Sequence, residues 1–129
     1  MVAYAKVIER SPPRRNADAG AAIDTVHLAR MTLGELSLQR EVLALFDRQA
    51  DVLLPRIRRG TPAVASAMAH TLKGSAASIG AFRVARAAEA VEQAQAFDGR
   101  DGAAADAIDT LAAVLDEARA EIARLLQAS

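Results

Sequence analysis

Cysteine is absent from the 129 residues, so disulfides, thiol nucleophiles and cysteine-ligated metals are excluded. Tryptophan is absent too, and one tyrosine and three phenylalanines are the only aromatics besides two histidines. A chain so poor in aromatic and β-branched residues suits close-packed helices better than sheets. An excess of either charge is also missing. Sixteen basic side chains balance sixteen acidic ones, and nothing demands a nucleic acid or an anionic membrane as partner. No stretch approaches the roughly 20 apolar residues of a membrane span. Met1 to Gly20 has no apolar segment of signal-peptide length and carries Pro12 and Pro13, so the expected location is cytoplasmic.

What is present in quantity is alanine, 32 residues of it, and arginine, 14 against two lysines. Both are also what a GC-rich genome writes, and alone they carry no function. The length allows one domain with one core. Residues 1–20 read as a tail, broken by Ser11-Pro-Pro-Arg-Arg, in which Val2 to Arg10 has room for a short docked turn. The domain is expected over 21–129. Ile23, Val26 and Leu33 suggest one side of a short helix closed by Gly34. Ser37 is the expected N-cap of a second helix, whose core positions are Val42, Leu45, Phe46, Val52, Leu53 and Ile57, with a kink or early end at Pro55.

Thr61-Pro62 is a strong start signal, a capping hydroxyl followed by proline where no donor is lost. That helix should run to Ile79 and close at Gly80. A fourth helix follows with Val84, Ala88 and Val91 inward, then a turn-rich loop from Phe97 to Gly102. Ile108, Leu111, Leu115, Ile122 and Leu125 mark the last helix. Short loops between such helices imply an antiparallel bundle.

The helix opened by Pro62 is the specific one. With His70 at zero and about 100° per residue, Val64, Met68, Leu72 and Ile79 fall between about 120° and 200°, the expected core stripe. Within about 60° of His70 lie Ala63, Ser66, Ala67, Lys73, Gly74 and Ala77. An imidazole and an ammonium thus stand over a bed of small residues. Glycine inside a helix costs about 1 kcal/mol relative to alanine, and in an alanine-rich chain Gly74 needs a reason; close approach of another molecule is one. His27 lacks such neighbours and reads as structural or incidental.

Neutral imidazole can attack phosphorus, and a phosphoryl group on the ring then needs a nearby cation. His70 is eight residues beyond Pro62, out of reach of the helix dipole, which leaves Lys73. No Gly-rich phosphate loop and no paired carboxylates for Mg²⁺ can be found, so the donor and any metal must come from a partner.

The run His70-Thr-Leu-Lys-Gly-Ser-Ala-Ala-Ser-Ile-Gly80-Ala81 closely resembles the signature of histidine-containing phosphotransfer (HPt) domains of bacterial phosphorelays. Val84, Val91 and Glu92 fall where that family has a Leu and a Leu-Glu pair, and the resemblance covers roughly residues 22 to 127. It implies an all-α fold, an antiparallel four-helix bundle with an additional short N-terminal helix. It also implies that His70 accepts a phosphoryl group from a receiver-domain phospho-aspartate and passes it to another receiver. Lys73 would steady the phosphoryl oxygens, and Gly74, with Ser66, Ala67 and Ala77, would form the receiver docking face. The chain would be a monomeric carrier without a nucleotide site or cofactor of its own, Mg²⁺ being held by the partner receiver.

Three other readings fit the residues less well. A kinase dimerisation domain also uses a helical histidine, but its ATP-binding domain cannot fit in the 49 residues after Gly80. A metal site lacks a His/carboxylate cluster at helical spacing. A helical interaction module without phosphoryl chemistry leaves the His-Lys-Gly arrangement unexplained.

Overall fold

The computed structural model describes residues 20–96 and 102–128. Among these are five helices and no strand: α1 (Thr25–Met31), α2 (Leu36–Arg59), α3 (Pro62–Ser78), α4 (Phe82–Ala96) and α5 (Ala103–Ala128). The expected tail before Gly20, and most of the Phe97–Gly102 loop, lie outside the described residues. Helices α2 to α5 close a ring in which α2 packs on α3, α3 on α4, α4 on α5 and α5 back on α2. Connections of two or three residues join α2 to α3 and α3 to α4, which forces those neighbours to run antiparallel. This is the expected four-helix bundle with one short helix added in front.

The starts and stops follow local chemistry. Asp24 caps α1 by accepting from the His27 backbone N–H at 3.0 Å, and Thr61 caps α3 by accepting from the Val64 N–H at 3.3 Å. Buried Thr32 closes α1 by donating to the Leu28 carbonyl at 2.8 Å. Leu33 and Gly34 then both take positive φ, 55° and 76°. Leu33 is therefore off the helix and exposed, not core, and Val26 is exposed as well. Ile23 precedes the N-cap, so helical spacing does not relate it to Val26. Ile23 and Leu28 form the buried pair instead. Helix α2 begins two residues earlier than Ser37 implied, at a Glu35 N-cap with no side-chain bond. Nor does Pro55 end it: buried Leu53 and Ile57 anchor both sides, and their packing offsets the lost backbone bond.

The core consists of apolar side chains from every helix, among them Phe46, Leu72, Val84, Val91, Leu111, Leu115 and Ile122. Ion pairs between helices decorate it, with Arg119 of α5 reaching Asp47 and Asp51 of α2 at 2.7 and 2.8 Å. Half-exposed pairs of this kind help set helix register more than they add stability. Two sequence expectations shift. Leu45 and Val52 of α2 face solvent, and the buried stripe of α3 is Ala65, Ala69, Leu72 and Ala76, turned roughly 60° toward α4 from the stripe expected by side-chain size. Val64 is exposed and Met68 only half-buried. Alanine is core here because α3 and α4 approach closely, and Ala87 and Ala88 answer from α4.

The turn between α3 and α4 is pinned to α1. The Asp24 N–H donates to the Gly80 carbonyl at 2.9 Å, and Gly80 has φ +86°. A Cβ at Gly80 would stand 2.7 Å from the Asp24 carbonyl oxygen. Gly80→Ala is expected to destabilise the fold by about 1–2 kcal/mol through backbone conformation alone, with the clash adding to it. An unchanged denaturation midpoint would show that this latch does not hold the bundle.

Candidate functional site

Residues equidistant from the centre of a tight antiparallel hairpin lie side by side. Around the α3–α4 turn, His70 is eleven residues before Ala81 and Glu92 eleven after it. The Ala-rich seam brings the two helices near enough for these side chains to meet. His70 Nδ1 lies 2.9 Å from Glu92 Oε2, and the Lys73 ammonium lies 3.1 Å from the other oxygen, Oε1. The Lys73 contact has ion-pair distance without the angle of a directed hydrogen bond, which leaves Oε1 buried and otherwise unbonded; its charge interaction does not depend on that angle.

Burial pushes the Glu92 carboxyl up, but Lys73 and His70 together outweigh it and hold the group below its ordinary value. Glu92 is thus a carboxylate at neutral pH and can only accept. The His70 ring proton consequently belongs on Nδ1, and neutral His70 keeps its lone pair on Nε2. The side chain is 69% exposed, and no described side chain bonds Nε2. The arrangement presents an oriented nitrogen nucleophile to solvent, with a carboxylate behind it and an ammonium beside it.

The other residues of this face lie as the helical angles require. Ala63, Ala67 and Gly74 are exposed, and Ser66, Lys73 and Ala77 half-buried. A Cβ at Gly74 would meet nothing within 4 Å, so no neighbouring helix accounts for the glycine. Lys73 is not free over the face as its spacing suggested, because Glu92 draws it toward α4. Glu92 is the one participant that helical spacing along α3 could not reveal, though the hairpin register contains it. His27 is elsewhere, half-buried with its ring edge against Phe82, centroids 5.0 Å apart. No group of three or more His, Cys, Asp or Glu residues placed to hold a metal occurs among the described residues. No described helix is long and apolar enough to cross a membrane.

No curated protein matches the chain in sequence. A solved structure from rice, described as a "putative histidine-containing phosphotransfer protein", superposes with a TM-score of 0.73. The match covers 98% of this chain and 95% of the rice chain at 20% identity, a likeness of fold. The sequence model of the Hpt domain matches residues 27–128, most of the chain, and the protein belongs to the Hpt domain family.

Proposed function

We propose that the protein is a phosphoryl carrier in which His70 Nε2 takes the phosphoryl group from a receiver-domain phospho-aspartate and yields it to a second receiver. The observation that carries this is the Nδ1–Glu92 contact on an exposed ring, which aims the nucleophilic nitrogen outward. Membership of the Hpt family supports a histidine phosphotransfer role in general and receiver domains as the class of partner. In the transfer the Nε2 lone pair forms a bond to phosphorus while the phosphorus–oxygen bond to the aspartate breaks. The carboxylate leaves with the electron pair. The ring becomes cationic as the new bond forms, and Glu92 offsets that charge through the proton that stays on Nδ1. The reverse reaction uses the same groups.

Lys73 has three N–H donors, so it can turn one toward a phosphoryl oxygen while remaining near Glu92. Mg²⁺ belongs in this scheme to the receiver, and the chain carries the group without a nucleotide site or cofactor of its own. The direct test is incubation with phosphorylated receivers. Acid-labile, base-stable label traced by mass spectrometry to His70 is the expected result; label on another residue, or none from any receiver, overturns the reading.

Gly74 separates fold from function. With open space around the missing Cβ, Gly74→Ala should stabilise the helix by about 0.5–1 kcal/mol. The added methyl stands one turn from His70, where the partner must come close, so transfer should weaken, and more so for Gly74→Gln. Thermal melts and transfer rates measured together check this. Stabilisation with undiminished transfer would remove the docking role from Gly74.

A further inference from the structure

The four seams of the bundle are not equally closed. Helix α5 meets α2 more loosely than any other adjacent pair of the ring meets. Polar side chains bridge the gap: Arg119 reaches Asp47 and Asp51, and Arg40 donates to the Leu126 carbonyl at 2.6 Å. At the end covered by α1 this seam opens into a groove of about 350 Å³. Leu28 of α1, Leu36 and Leu43 of α2, and Leu125 and Leu126 of α5 line it. Leu28 and Leu43 belong to the core, but Leu125 and Leu126 are half-buried and Leu36 is 66% exposed. The groove lies across the ring from the α3–α4 seam that carries His70 and Glu92, so it is off the histidine face.

Residues 1–19 precede the described structure, and the chain enters it at Gly20, five positions before Thr25 on the groove rim. At about 100° per residue, Ala3, Tyr4, Val7 and Ile8 fall within one arc of roughly 140°, with Lys6, Glu9 and Arg10 outside it. Pro12 and Pro13 end that pattern. The twelve residues from Ile8 to Gly20 reach at most about 40 Å, well beyond the roughly 10 Å length of α1. Charge agrees with reach. Helix α5 has no basic residue in its last turn, so the negative end of its dipole takes cations from elsewhere. Arg40 supplies one, and Lys6 and Arg10 would bring two more.

We infer that residues 2–10 pack into the α2–α5 groove beside α1, with Tyr4, Val7 and Ile8 against Leu36, Leu125 and Leu126. The segment acts as a wedge that closes the loosest seam of the bundle. One face of so short a segment is far below the 20–30 residues a side of a lasting interface between separate chains. Tethering in the same chain changes that balance, because a short linker holds the effective concentration at about the millimolar level. A weak contact then suffices. The inference involves no step at His70 and does not depend on the carrier function.

Hydrogen exchange and thermal melts of the full chain test the wedge together. Amides of residues 3–10 should exchange about tenfold or more slowly than in an unstructured chain, at every protein concentration. Leu36→Asp should abolish that protection and lower the melting temperature by about 4 °C or more. Leu36 is exposed and opens α2, where an acidic side chain suits the helix dipole, so without the wedge this substitution is neutral or slightly stabilising. Val7→Asp/Ile8→Asp, which leaves the described bundle untouched, should lower the melting temperature about as much. Combining both sets should lose less than the sum. Full-rate exchange of residues 3–10 in the wild type would overturn the wedge and leave the groove to a separate ligand. Protection that survives Leu36→Asp, or melting temperatures unchanged in both variants, would overturn it as well. Protection that fades on dilution would do so by assigning the groove to a second copy.

Discussion

In a His70→Gln variant, a phosphorylated receiver leaves no acid-labile label, although the protein keeps its helicity and melts almost as before. The two halves of this expectation have one cause. A side chain 69% exposed contributes little packing, and surface substitutions of that sort usually change stability by less than about 0.5 kcal/mol. Glutamine keeps an amide near Glu92 but offers no ring nitrogen for phosphorus. The other histidine should behave in the opposite way. His27→Gln removes a ring packed on Phe82, so it should lower the melting temperature and leave labelling intact. Label persisting in His70→Gln would move the acceptor elsewhere and undo the assignment.

Substitution at Glu92 should give the next largest loss. Glu92→Gln retains an oxygen that can accept from Nδ1 but removes the charge that His70 and Lys73 share. Losing a charge-assisted contact of about 1.5–3 kcal/mol, discounted for an open face, slows transfer by roughly one order of magnitude. Lys73→Ala should cost about as much, and more at low salt. Because the Lys73 ammonium and the Glu92 carboxylate also pair with each other, the double variant should lose less than the product of the single losses. Multiplicative losses would mean that the two residues act independently. The pH dependence has a definite sign. The Glu92 carboxyl is held below its ordinary value, so its contribution to stability is complete at neutral pH and disappears as pH falls through that lowered range. Denaturation curves of Glu92→Gln should consequently show less acid-side loss than wild type.

The residues most legible in the sequence were those whose environment depends on their own helix. Thr61-Pro62 announced a helix start, and α5 displayed its buried side as a clean apolar repeat. His70 and Gly74 stood out by angle and by residue type, and both face solvent in the fold. What spacing along one helix misses is the neighbour. Val64, Leu45 and Val52 have core-like side chains but face outward: the side of α3 that meets other helices carries mainly Ala65, Ala69 and Ala76, and that of α2 is already filled by Leu43, Phe46, Leu53 and Ile57. Side-chain size is therefore a poor guide to burial on α3, whose buried stripe follows its alanines. Glu92 was visible as a residue of the family pattern, yet its link to His70 appears only when two helices are folded about Ala81.

The alanine seam between α3 and α4 sets a vulnerability far from the chemistry. Ala65, Ala69, Ala76 and Ala88 are almost wholly buried, and their small volume keeps the carboxylate of one helix within reach of the imidazole of the other. Enlarging any of them would force the helices apart, and overpacking of this kind costs typically about 1–3 kcal/mol, which a bundle can survive. The contact between His70 and Glu92, however, spans a single hydrogen bond and has no slack to absorb even an ångström of separation. A genetic screen for lost signalling should accordingly recover variants in this seam that fold and keep His70, Lys73 and Glu92 unaltered. In them the proposed nucleophile is present but no longer aimed.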